Sequence, residues 1–127
     1  LCTNFTFQNN GLPVNDQLND HGRMQVTKKS TDSLLFKVPT LRNIEYTFPY
    51  MHDGRFKKLN EVLLHYSDGM VNTPTLSRTL RTFPKLSSNE KVDLISFLLT
   101  LSDKEFIFNA KHSFPKNILL PQAKEAK

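Results

Sequence analysis

Apolar residues recur with the period of an α-helix in a segment near the middle of the chain. The positions i, i+3, i+4 and i+7 of this segment hold Leu59, Val62, Leu63 and Tyr66. This spacing places the four side chains on one face of a helix. The residues that follow, 67–69, read SDG and predict that the helix ends there, with Gly69 as a candidate C-cap.

A second segment shows the same period with a clearer start signal. Ser87 and Glu90 stand three residues apart, as in a capping box, ahead of an apolar series. That series consists of Leu94, Phe97, Leu98 and Leu101. We expect its side chains to be buried in the core. A further short helix is predicted over residues 75–82.

The rest of the chain lacks a helical or strand period. Residues 1–33 are rich in Asn, Gly and Pro, and residues 34–58 contain Pro39, Pro49 and Gly54, which exclude a long helix. No strand pattern of any length is apparent. The pattern predicts a small, mainly α, loop-rich domain over residues 1–105, followed by an extended carboxy-terminal arm over residues 106–127.

Composition narrows the classes of function. Hydrophobic residues make up 38% of the 127 residues, which is lean for a core built from side chains alone and favours a cofactor or a neighbouring domain. Cys2 is the single cysteine, so neither an internal disulfide nor a thiolate metal site is expected. The net charge of +5 suits an acidic protein partner. Without a basic run interleaved with aromatics or a long apolar run, we expect neither nucleic-acid binding nor a membrane span.

A family resemblance rests on two neighbouring segments. Residues 36–44 read FKVPTLRNI and residues 47–56 read TFPYMHDGRF. Together with NNG at 9–11, GRMQVT at 22–27, LNEV at 59–62 and the helix at 90–103, they closely resemble the second haem domain of the di-haem cytochrome c peroxidases. The methylamine-utilisation di-haem enzymes belong to the same superfamily. The resemblance covers about residues 3–105.

The resemblance implies a part of a cytochrome c-like haem domain. The family attaches haem through C-x-x-C-H, and its order places that motif just before Leu1, so we expect the chain to begin after its own haem-binding motif. The whole protein would be periplasmic, with two c-type haems and a calcium ion. An amino-terminal haem domain would reduce hydrogen peroxide, and a small cytochrome c or copper protein would donate electrons. The resemblance leaves a homodimer open, and it places no catalytic residue in this chain.

Tyr66 is the most informative position. The resemblance places it where the peroxidases have the Met distal ligand of the second haem, and where the methylamine-utilisation enzymes have a Tyr. A phenolate favours ferric iron, whereas a thioether raises the potential. The alternative is a core tyrosine on the apolar helix face. Met70 and Met51 are alternative thioether ligands.

The resemblance also suggests roles for five other residues. The backbone carbonyls of Thr47 and Pro49 match the positions that hold calcium, with an ordinary turn as the alternative. His52 would lie near the haem edge or be structural. Arg42 and Arg23 would pair with haem propionates, although Arg42 could instead cap a loop carbonyl. We expect Asp53 and Arg55 to pair within their turn, and His21, His65 and His112 to lie at the surface.

Two other readings of function stay open. A Tyr at position 66 is also compatible with the methylamine-utilisation type, which oxidises a protein substrate. The missing C-x-x-C-H is compatible with a haem-free domain that acts as an interaction module. The redox potential of the second haem separates the first alternative from the peroxidase, and a haem absorption spectrum tests the second.

Overall fold

Short helices and one small sheet make up the regular structure of residues 2–113, the part of the chain that the computed structural model describes. In chain order the elements are β1 (Phe7–Gln8), α1 (Met24–Thr27), β2 (Phe36–Lys37), α2 (Leu59–Leu64), α3 (Arg78–Arg81), α4 (Ser88–Leu99) and α5 (Lys104–Ile107). Loops and 3-10 turns connect them. The prediction of a loop-rich domain with few helices is therefore confirmed.

The sheet corrects the prediction that the chain has no strands. β1 pairs antiparallel with β2, with Phe7 opposite Lys37 and Gln8 opposite Phe36. Each strand has two residues, which is too short to produce a visible alternation of apolar and polar positions. The pairing holds the amino-terminal segment beside the loop that follows β2.

The helix α4 begins as its capping box predicts. The hydroxyl of Ser87 accepts a hydrogen bond from the backbone N–H of Glu90 (3.3 Å), and the Glu90 carboxylate accepts one from the backbone N–H of Ser87 (2.8 Å). The helix packs against α2 and against the 3-10 turn Ile44–Tyr46. Leu98 is buried by this packing, but Phe97 is 56% exposed, so it is not part of the core of the described residues. Packing of Phe97 against the face of a haem, which the resemblance also allows, stays a prediction. Adjacent helix residues lie about 100° apart, so Phe97 turns away from the contact that covers Leu98.

The helix α2 follows its predicted face, and its helical continuation ends at Gly69, within the predicted segment 67–69. Leu59 and Leu63 are buried, as the spacing indicated. After Leu64 the chain does not stop at a C-cap. It continues as a π turn, His65–Gly69, and Met70 takes the capping position in extended conformation. The prediction of Gly69 as the C-cap of an α-helix is therefore wrong.

The described residues bury few of their large apolar side chains. The buried ones are Leu12, Leu59, Leu63, Leu76 and Leu98. Many more are exposed, including Phe5 at 61% and Phe108 at 70%. An exposed apolar surface of this extent is typical of a chain that packs against another body. None of the described helices combines the length and the apolar character needed to cross a membrane.

The predicted carboxy-terminal arm is described only up to residue 113. In that part the chain forms the end of α5 and the 3-10 turn Ala110–His112, so it is helical there rather than extended. The remaining residues of the arm, 114–127, lie outside the described residues.

Candidate functional site

Tyr66 is carried by the π turn that continues α2. A π turn inserts one residue into the helical repeat, and such turns occur frequently at functional sites. The ring of Tyr66 lies edge-on to the ring of His65, with 5.3 Å between centroids, and 6.3 Å from the ring of Phe83. The side chain is half-buried between these neighbours.

The side chain of Asn10 connects Tyr66 with a methionine from another loop. Its Nδ2 donates to the Sδ of Met51 at 3.2 Å, and its Oδ1 accepts from the backbone N–H of Leu12 at 3.3 Å. Burial raises the pKa of the Tyr66 phenol, and an interaction with the Asn10 side chain opposes the rise. An interaction that lowers the pKa of a phenol favours its phenolate form.

His65 is buried beside this cluster, so its predicted surface position is wrong. Only 5% of the residue is exposed, and its Nε2 lies 3.0 Å from the backbone carbonyl oxygen of Asn10. A carbonyl accepts and cannot donate, so Nε2 carries the hydrogen. Burial is the main cause that lowers the pKa of His65, and the bond to Asn10 partly opposes it. The ring is therefore a buried hydrogen-bond donor that connects the π turn to the segment of Asn10.

Asn9 fixes the segment that carries Asn10. It is 1% exposed, and its Nδ2 donates to the hydroxyls of Thr73 (2.8 Å) and Thr75 (2.9 Å). Its Oδ1 accepts from the backbone N–H of Gly11 (2.8 Å). Gly11 has φ +72°, and a Cβ there would lie 3.0 Å from the Cβ of Met70. Met70 therefore packs against the same segment that positions Asn10.

The loop that follows Tyr50 brings Met51 to the cluster and places His52 against Phe36. Met51 has φ +71°, a left-handed conformation that is unusual for a residue with a side chain. The ring of His52 stacks on Phe36 with 3.6 Å between centroids and 12° between planes. Partial burial lowers the pKa of His52, against the opposing effect of Asp53. The predicted pairing of Asp53 and Arg55 is confirmed, with Nε to Oδ2 at 2.8 Å.

Thr47 and Pro49 lie on an exposed loop just before this turn. The Thr47 hydroxyl donates to the carbonyl oxygen of Ile44 at 3.3 Å, and the Tyr50 hydroxyl donates to the same oxygen at 3.0 Å. Within residues 2–113, His, Cys, Asp and Glu side chains form no group of three that could hold a metal ion. The calcium prediction concerns backbone carbonyls, so this finding leaves it a prediction.

The two predicted propionate partners have carboxylate partners of their own. Arg23 pairs with Asp32 (Nε to Oδ2, 3.3 Å), and its guanidinium lies 4.7 Å from the centre of the Phe7 ring. Arg42 pairs with Asp103 (Nη2 to Oδ2, 2.8 Å) and stays largely exposed. To bind a haem propionate, each guanidinium group would have to release its present carboxylate partner or bind both carboxylates at once.

The structure thus gathers only part of the predicted site. Tyr66 and Met51 meet at Asn10, and Met70 packs against the neighbouring Gly11. The sequence did not single out the roles of Asn10 and His65. Asn10 stands 41 residues from Met51 and 55 from His65. Contacts over such separations leave no periodic signal, and the only cue was the NNG of residues 9–11 within the resemblance.

Comparison with known proteins gives relatives over most of the chain. The cytochrome-c peroxidase IdrP1 of Pseudomonas sp. (strain SCT) is 38% identical over 96 residues, which are 76% of this chain and 25% of that protein. The methylamine utilization protein MauG of Methylorubrum extorquens is 35% identical over 122 residues, 94% of this chain and 31% of that protein. A solved MauG-like protein associated with microbial copper homeostasis has a TM-score of 0.71 and 34% identity, covering 86% of this chain and 36% of its own.

The chain belongs to the di-haem cytochrome c peroxidase family. It spans 25% and 31% of the length of the two curated relatives named above. No protein-family model matches it. The family relation covers the segment from which the site is built, and the structural similarity confirms a MauG-like fold for this part.

The residues around Tyr66 fit the haem that this family implies. A haem needs an apolar surface for its ring and an oxygen, nitrogen or sulfur ligand for its iron. The phenol of Tyr66 and the thioether of Met51 provide two such ligand atoms at one place. Exposed apolar side chains flank them: Phe83 beside the Tyr66 ring, and Leu64 just before the π turn. The ligand atoms and the apolar surface are therefore both suitable for a haem.

Proposed function

We propose that this chain forms the distal side of a c-type haem site, with Tyr66 as the iron ligand, in a di-haem cytochrome c peroxidase. The observation that carries the proposal is the placement of Tyr66 on a π turn, with exposed apolar side chains beside it. A tyrosine that only fills the core would not need exposed apolar side chains around it. The wider family relation supports the haem itself.

The chain's own residues prepare Tyr66 for this role. The ligating form is the phenolate, and burial alone opposes it by raising the pKa of the phenol. The interaction with the Asn10 side chain acts in the opposite direction, because it lowers the pKa of the phenol. Bound haem supplies one-electron redox chemistry, and a phenolate ligand biases its iron towards the ferric state.

The family relation supports a proposal for the activity of the whole protein. It would reduce hydrogen peroxide to two water molecules, taking up two electrons and two protons. The peroxide-binding haem and its acid and base groups would lie in an amino-terminal haem domain. This chain would serve the second haem, which receives electrons from a small cytochrome c or copper protein in the periplasm. The chain's net charge of +5 suits an acidic donor.

Four other residues would complete the site. The carbonyls of Thr47 and Pro49 would hold calcium between the two haem domains, for which an exposed loop is suitable. His52 would lie near the haem edge, where its ring is already fixed by stacking on Phe36. Arg23 would bind a propionate while it keeps its ion pair with Asp32. Arg42 is less favoured, since it pairs with Asp103 next to α5.

A second candidate is an oxidase of the methylamine-utilisation type that acts on a protein substrate. It is favoured by the phenol at position 66 and by the 35% identity to MauG over 94% of the chain. Redox titration separates the two candidates: a markedly low potential for the second haem argues against an electron-entry role. A third candidate, a haem-free interaction module, predicts that the purified full-length protein shows only the protein absorption band.

Substitution Tyr66→Phe in the full-length protein tests the ligand. We expect the ferric absorption spectrum of the second haem to change and its midpoint potential to rise, because a phenyl ring cannot bind iron. Tyr46→Phe is the matched control, since Tyr46 is also half-buried but packs against Phe108. If both variants keep the parent spectrum and differ only in stability, Tyr66 is a core residue and the proposal is wrong.

A further inference from the structure

Two backbone carbonyl oxygens in the exposed loop of residues 47–49 accept no hydrogen bond from any N–H or O–H group of the described residues. They belong to Thr47 and Pro49. Calcium takes oxygen ligands, and backbone carbonyls are among those it binds in proteins. The donor atoms of this loop therefore fit the calcium ion that the family resemblance implies.

A single oxygen atom closes the base of this loop. The carbonyl oxygen of Ile44 accepts from the backbone N–H of Thr47 (3.3 Å), from the Thr47 hydroxyl (3.3 Å) and from the Tyr50 hydroxyl (3.0 Å). Burial chiefly, and the charge of Glu45 in addition, raise the pKa of Tyr50, so its hydroxyl keeps its hydrogen at neutral pH. Both ends of the segment 47–50 are thus bonded to the same atom.

The backbone of Tyr50 fixes the direction of the Pro49 carbonyl. Its N–H donates to the carbonyl oxygen of Phe56 at 2.7 Å. The C=O and N–H groups of one trans peptide unit point in opposite directions, so the Pro49 oxygen points away from Phe56. The ring of Pro49 lies against Gly54, where an added Cβ would come within 3.1 Å of the Pro49 Cγ. Pro49 therefore has little freedom to turn its carbonyl.

The Ile44 oxygen has a fixed position because both of its sequence neighbours are bonded to the residues that follow α4. The side-chain Oδ1 of Asn43 accepts from the backbone N–H of Asp103 at 2.6 Å. The Glu45 carboxylate accepts from the hydroxyl of Ser102 at 2.7 Å. A group that bonds to the Ile44 oxygen is therefore anchored to the packed part of the chain.

We infer that Tyr50 is a positioning residue for calcium: its hydroxyl, bonded to the Ile44 oxygen, holds the carbonyls of Thr47 and Pro49 in the arrangement that the ion binds. This inference rests on the proposed calcium site, and it adds the side chain on which the affinity of that site depends. Without the hydroxyl bond, the loop would have to be ordered when the ion binds, and the cost of that ordering lowers the affinity.

Calcium dissociation constants of the haem-loaded full-length protein and its variants test this role, by competition with a fluorescent chelator after calcium removal. Tyr50→Phe keeps both carbonyls and loses only the hydroxyl, so its Kd should rise about 2- to 10-fold, the factor that corresponds to one neutral hydrogen bond. Tyr46→Phe is the matched control and should keep the parent Kd, because Tyr46 is also half-buried but packs against Phe108. Thr47→Val keeps the backbone N–H bond to the Ile44 oxygen, so its Kd should rise less than that of Tyr50→Phe.

The outcomes separate this inference from the proposed function. If the parent protein binds calcium and Tyr50→Phe keeps the parent Kd, the role of Tyr50 is refuted and the calcium site stands. If the parent protein binds no calcium, both fall, while the spectrum of Tyr66→Phe still tests the haem ligand by itself. A merely structural role for Tyr50 predicts a lower midpoint of urea unfolding for the calcium-free Tyr50→Phe protein with an unchanged Kd; that result also overturns the inference.

Discussion

Replacing Asn9 by Ala should destabilise the protein more than any exposed substitution of the same kind. Asn9 is 1% exposed and makes three side-chain hydrogen bonds. The substitution leaves the buried N–H of Gly11 without its acceptor, which costs about 1–3 kcal/mol. The hydroxyls of Thr73 and Thr75 lose a donor, but Thr75 keeps its own bond to the carbonyl of Ser33 (2.8 Å). The expected loss in free energy of unfolding is therefore about 2–4 kcal/mol.

Urea unfolding of the full-length protein, followed by circular dichroism, measures this loss. Single domains are stable by about 5–15 kcal/mol, so the midpoint should move clearly. Asn15→Ala is the matched control, because Asn15 also accepts backbone N–H bonds, from Gln17 (2.9 Å) and Leu18 (3.3 Å), but at exposed positions. Its cost should be about 1 kcal/mol or less. Equal losses for the two variants would refute the claim that the buried position gives Asn9 its importance.

Two further perturbations follow from the described residues. Ser87→Ala removes the N-cap of α4 and should cost about 1 kcal/mol in urea unfolding, whereas an unchanged midpoint would mean that the capping box is dispensable. The pKa of His65 is lowered in the folded state, chiefly by burial. As the pH falls through the unfolded value of 6.5, the unfolded chain binds a proton that the folded one does not. The free energy of unfolding should therefore fall from pH ~7.5 to pH ~5, and His65→Gln should flatten that dependence.

The sequence predicts the helices that depend on local signals. The capping box of Ser87 and Glu90 and the spacing of Leu59 and Leu63 need only neighbouring residues, and both are confirmed. Whether Phe97 is buried depends on which side of α4 packs against α2, and tertiary packing determines that side. Local spacing alone does not determine it.

The end of α2 shows a second limit of local reasoning. Helical structure does end at Gly69, as the stop signal of residues 67–69 predicts, but that signal does not predict that the last turn, His65–Gly69, is a π turn. The buried bond from His65 to the Asn10 carbonyl helps to hold that turn, and it joins residues 55 positions apart. The resemblance located Tyr66 because it compares whole segments, but it could not show which residues orient the phenol.

The NNG segment combines three physical tasks in three consecutive residues. Neighbouring side chains of an extended segment point to opposite sides, so Asn9 and Asn10 serve different partners. Asn9 faces the loop of Thr73 and holds the segment in place, while Asn10 faces Tyr66 and Met51. Gly11 then allows the left-handed turn at φ +72° that brings its carbonyl to the N–H of Val71 (2.8 Å). Anchoring of the segment and the contact with Met51 are thus divided between adjacent residues, so a stability assay at Asn9 measures the anchoring by itself.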